Sequence, residues 1–174
     1  MAGLALSACQ SNDSSGVLNV TGSDGQPQKI TAEELLAFCP SIGVRDGGAF
    51  FNSYEKGGDA DATKLIYQAS ISDTTRACSF ASGTMTINVA IAGRVVMGPV
   101  GKAGTVNLPI RVSVTRGEEV LYSQLNQHSV NIAAGSTQFM FNDPSAAIAS
   151  TNDRNVRITV GFEQGPAPKR NPAE

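Results

Sequence analysis

Residues 105–122 read TVNLPIRVSVTRGEEVLY. Val106, Leu108, Ile110, Val112 and Val114 occupy every second position, with Asn107, Pro109, Arg111 and Ser113 between them. A period of two places all five apolar side chains on one face of an extended strand. Arg116-Gly117-Glu118 then interrupts the pattern, and Val120 and Tyr122 resume it. The stretch is predicted to fold as a tight hairpin, with Val120 and Tyr122 turned toward the same core. Proline lacks a ladder donor, so Pro109 is expected at an edge or a bulge.

The same alternation recurs on both sides of the hairpin. Leu65, Tyr67, Ala69 and Ile71 carry it upstream, followed by Met85, Ile87, Val89 and Ile91. Val130 and Ile132, Phe139 and Phe141, and Val156, Ile158, Val160 and Phe162 carry it downstream. Turn signals separate the runs: Ser82-Gly83, Ala134-Gly135-Ser136, Asn142-Asp143-Pro144 and Asn152-Asp153-Arg154. Many short alternating runs with little helix predict an all-β chain, an antiparallel immunoglobulin-like β-sandwich, with an eight-stranded barrel as the alternative. Thr31 and Glu34 have the spacing of a capping box, and Pro40 limits extension, so one short helix is expected over 32–38. Ser41 to Asn52 is glycine-rich and expected to be extended. The domain reading is a signal remnant and flexible tether over 1–30, the sandwich with its helix over 31–164, and a tail over 165–174. The tail, GPAPKRNPAE, is too polar and proline-rich to build a core.

Charge and composition remove several function classes. Thirteen basic against fifteen acidic residues leave a net charge of -2, and no basic block exceeds Lys169-Arg170. Neutralising phosphates needs clustered Lys and Arg, so no nucleic-acid partner is expected. Catalytic motifs are equally scarce. No GxSxG, HExxH, P-loop or GxGxxG pattern occurs, and the chain is read as no enzyme. Gly98-Pro99-Val100-Gly101-Lys102-Ala103-Gly104 lacks the spacing and the Ser/Thr of a phosphate loop and is read as a plain loop. Asp59 and Asp61 form a DxD pair of the type that holds Ca²⁺, but the late Glu of such a loop is missing, so solvated carboxylates and no metal are expected. His128, the one histidine, alternates with Val130 and Ile132 and should share their face. A lone strand histidine is ordinarily structural. No cofactor is called for.

The cysteines point to a location. Leu6-Ser7-Ala8-Cys9 has a Leu three positions before the cysteine and small residues directly before it. That spacing resembles a bacterial lipobox, which implies a diacylglycerol on the Cys9 thiol. Met1 to Ala5 is short for a signal and has no basic residue, so either the true start lies upstream or Cys9 is incidental in a frayed N-terminus, and the first is expected. Gln10 to Gly25 is rich in Ser, Asn, Asp and Gly, a tether with a reach of roughly 20–25 Å. With Cys9 lipidated, Cys39 and Cys78 remain as an even pair, the arithmetic of one disulfide in an oxidising compartment.

The lipobox, the tether, the cysteine pair and the strand-rich remainder resemble the small outer-membrane lipoproteins of alphaproteobacteria. The resemblance implies an outer-membrane, periplasm-facing protein held through lipid on Cys9, since Gln10 is not the Asp of an inner-membrane retention signal. It carries over no catalytic residue. The expected function is a non-enzymatic binding or scaffolding module of the cell envelope with an envelope protein as partner. A small-ligand-binding or inhibitor-type β-barrel is the alternative. Edge-strand addition is one physical route to a partner.

Overall fold

The computed structural model describes residues 38–163 except 59 and 134, and the short strands at 19–21 and 27–29. Those two strands, β1 (Asn19–Thr21) and β2 (Pro27–Lys29), pair antiparallel within the stretch read as tether and belong to a unit separate from the sandwich. Apart from Phe38, which is not helical, the helix expected over 32–38 lies outside the described residues, as do Cys9 and the tail.

From Ser41 onward eight strands follow: β3 (Ser41–Val44), β4 (Phe50–Tyr54), β5 (Leu65–Ala81), β6 (Thr84–Met97), β7 (Gly104–Arg116), β8 (Glu119–Ile132), β9 (Ser136–Ala149) and β10 (Val156–Phe162). They form two four-stranded sheets, in the orders β3-β10-β7-β8 and β4-β5-β6-β9. All pairings are antiparallel except β3 with β10. This is a β-sandwich. Its sheets stay open, bounded by β3 and β8 on one and by β4 and β9 on the other, so the barrel alternative is not what forms.

The alternating residues fill the space between the sheets. Leu108, Ile110, Val112 and Val114 from β7, and Val156, Ile158, Val160 and Phe162 from β10, meet Met85, Ile87, Val89 and Ile91 from β6. All twelve are at most 1 % exposed. Each such side chain contributes about 1.5–3 kcal/mol on burial, which makes this face the main source of stability.

Four register shifts interrupt the described strands. One lies between Ser53 and Tyr54, where β4 meets the start of β5, and the other three reset the alternation of the core strands. The β5–β6 register shifts between Ile71 and Asp73, so inward residues change from odd numbers (Tyr67, Ala69) to even ones (Cys78, Phe80). The β7–β8 register shifts between Val114 and Thr115, leaving Leu121 as the extra residue. Val120 then pairs with Thr115 and stands 61 % exposed, against the expectation that it faces the core. One inserted residue inverts strand parity, and periodicity alone does not reveal the insertion. The third shift corrects the turn expected at Asn142-Asp143-Pro144: β9 continues through it, and the register with β6 slips between Ile87 and Val89. An Asx-type contact forms there, from Ser145 N–H to Asp143 Oδ1 at 3.0 Å, but it shapes a bulge.

Pro109 sits in β7, an inner strand, rather than at an edge or bulge. Its backbone faces the end of β10, where its carbonyl accepts from Glu163 N–H at 2.8 Å. The missing donor thus falls at the last rung, where its loss costs least. The disulfide Cys39–Cys78 spans a Cα separation of 5.7 Å and ties the approach to β3 in one sheet to β5 in the other.

Candidate functional site

The sequence-marked loops are structural. Gly98 N–H donates to Ile66 O (2.8 Å), Val100 N–H to Leu65 O (3.3 Å) and Gly101 N–H to Gly98 O (3.0 Å). These amides are spent on holding the β6–β7 crossover against the start of β5. A Cβ at Gly98 or Gly101 would collide with the Leu65 or Ile66 carbonyl, which is why the loop needs glycine there. Asp61 caps the 3-10 turn Ala62–Lys64, accepting from Thr63 N–H (2.9 Å) and Thr63 Oγ1 (2.6 Å). Those bonds, the hydroxyl one first, hold its carboxyl below the usual range. Asp59 lies outside the described residues, and among the described residues no three His, Cys, Asp or Glu side chains gather as a metal site would require.

Charge is concentrated at the end of β10. Glu163 lies 2.5 Å from Arg111 Nε and 3.6 Å from Arg45, while Arg45 Nη2 donates to Phe162 O at 2.5 Å. The hydrogen bond from Arg111 is the main reason the Glu163 carboxyl sits below its ordinary value. This cluster clamps β10 to its neighbours and leaves little charge to recruit a ligand.

The chemically distinctive region is the seam where the sandwich opens between β8 and β9. Even-numbered β8 residues point inward there: Tyr122, Asn126 and His128, ahead of the buried Val130 and Ile132. From β9 they meet Phe139, Phe141 and Asp143. His128 lies 5.7 Å from the Phe139 ring and 5.6 Å from the Phe141 ring, on the face the alternation indicated. Asp143 is the buried carboxylate among the described residues, only 4 % exposed. Tyr122 OH donates to Asp143 Oδ2 at 3.0 Å, and Ser145 supplies its N–H and hydroxyl to Oδ1. The carboxylate therefore links the two sheets through Tyr122 and is satisfied without a cation. Withdrawal from water chiefly raises the Tyr122 phenol above its ordinary value, keeping it a donor. Sequence reasoning took Asp143 for a turn residue and Tyr122 for plain core. No local signal distinguishes an Asx turn from an Asx bulge.

His128 yields a pH signature. Desolvation holds its imidazole below the usual value of 6.5, so the folded protein resists protonating it. The unfolded chain takes up that proton as pH falls below about 6.5, so stability declines from there downward until the folded group also titrates. Urea midpoints are expected to fall between about pH 7.5 and about pH 5.5, and His128→Gln should remove most of that slope. An identical slope in the variant would assign the effect elsewhere.

A second surface feature is an open groove of about 840 Å³ on the outer face of the β4-β5-β6-β9 sheet, floored by Ser70, Ser72 and Ala92 beside Arg94 and Met140. Comparison with known proteins supplies no relative: no family model, curated protein or solved structure matches this chain.

Proposed function

We propose that this protein is a lipid-anchored binding or scaffolding module of a bacterial cell envelope, facing the periplasm from the outer membrane, and not an enzyme. The observation that carries the reading is the Cys39–Cys78 disulfide between the two sheets. Such bonds persist in oxidising compartments, and this one accounts for two of three cysteines, leaving Cys9 in its lipobox context to receive lipid. Dual or triple acylation of one cysteine supplies the two-chain anchoring that stable membrane residence requires. The binding role is supported by an open sandwich in which two of the border strands, β8 and β9, are long.

The test is metabolic labelling with palmitate in a Gram-negative host, with an established lipoprotein signal sequence fused ahead of Leu6. Label is expected on the wild-type protein and absent from Cys9→Ala, with globomycin causing the precursor to accumulate. An unlabelled wild type that fractionates with soluble proteins overturns the anchor.

A further inference from the structure

Four strands border the open sheets, and three are blunted as docking edges. β3 and β4 have only four and five residues. β9 is interrupted by Pro144 and the bulge beside Asp143. Short strands, bulges and prolines are the ordinary protections of an edge. β8 has none of them beyond its hairpin end: its register with β7 runs unbroken from Val114↔Tyr122 to Gly104↔Ile132, without proline, lysine or any acidic residue.

The backbone groups that β8 turns outward can be identified. In an antiparallel sheet a residue's N–H and C=O point to the same side, and the sides alternate. Pro109 O accepts from Glu163, so odd-numbered β7 residues bond toward β10 and even-numbered ones toward β8. Ile110 therefore bonds with Asn126, and even-numbered β8 residues are used up by β7. Ser123, Leu125, Gln127, Ser129 and Asn131 aim their amides and carbonyls out of the sheet. The contact from Gln124 Nε2 to Leu125 O, at 3.4 Å, fits a carbonyl without a ladder partner. On the inner face, Asn126 Nδ2 is buried with no hydrogen-bond partner among the described residues, two residues from His128.

The geometry points to a second copy of this chain as the occupant of the β8 edge, paired antiparallel about a two-fold axis at Gln127. Outward groups must meet outward groups, so odd residues pair with odd ones. Ser123 then faces Asn131 of the second copy, Leu125 faces Ser129, and Gln127 faces itself. Every such pair is uncharged, so no like charges oppose one another. The same register sets Asn126 opposite His128 of the second copy, and His128 opposite Asn126. Cβ atoms at such positions lie about 4.5–5.5 Å apart, which brings the unpartnered amide donor to a neutral imidazole acceptor twice per dimer. An unrelated extended peptide would satisfy the backbone but supplies neither match by symmetry, whereas an isologous pair supplies both. This pairing goes beyond the envelope-binding reading and does not depend on lipid.

The test uses the full chain carrying Cys9→Ser with the disulfide intact, followed by light scattering over a dilution series. A two-chain mass is expected. Gln127→Lys and Gln127→Glu each place like charges across the axis and should weaken the dimer about tenfold or more, with far-UV circular dichroism unchanged. An equimolar mixture of the two variants should restore the two-chain mass. Gln127→Cys should cross-link to itself on oxidation, whereas Val120→Cys, outside the register, should not. A chain that stays monomeric, including one that captures an unrelated extended peptide along β8, overturns the proposal. So does a dimer indifferent to both Gln127 charges.

Discussion

Replacing Cys39 and Cys78 together by serine is expected to lower the unfolding free energy by about 4 kcal/mol, the loop-closure value for a cross-link spanning 39 residues. The loss is a large share of the 5–15 kcal/mol typical of a whole domain. It arises mostly in the unfolded ensemble, which the bond otherwise keeps from exploring separated positions of β3 and β5. Urea denaturation is the measurement. The midpoint should fall markedly, and the slope should rise because the unlinked denatured chain exposes more surface. An unchanged midpoint would mean that the reduced chain retains the same closure by other contacts.

The second large effect is expected at Phe162. Its side chain is fully buried, 6.0 Å from the Phe51 ring and 6.3 Å from the Phe139 ring, so one residue of β10 packs against two strands of the facing sheet. Phe162→Ala should cost about 3–5 kcal/mol through lost transfer energy and the cavity left between the sheets. Phe162→Leu, which refills most of that volume, should cost a fraction of this. A midpoint for the alanine variant close to wild type would show that the flanking rings collapse into the space.

Most of the core was legible in the sequence because alternation is a local property. Leu108 to Val114 and Val156 to Phe162 turn inward as their spacing requires. What was not legible is where parity resets. Leu121, Ser72 and the Pro144–Ser145 segment each insert an offset that depends on the partner strand, so Val120 was misplaced and Asp143 was read as a turn. Strand order was hidden for the same reason, since β3 finds its neighbour more than a hundred residues away in β10. The face of His128 followed from its spacing with Val130. The Tyr122–Asp143–Ser145 contacts did not, because they join two sheets across a gap that no sequence interval measures.

The position of the disulfide also decides how the domain answers a pull. Cys39 precedes β3, and its partner Cys78 lies in the long strand β5 of the other sheet. A force arriving from the N-terminal side meets the covalent link before it meets the four rungs between β3 and β10. It is passed into β5, whose hydrogen bonds run along fourteen paired positions with β6. Short parallel rungs that would otherwise peel first are shielded, and the tension is carried by a bond that only a reductant cuts.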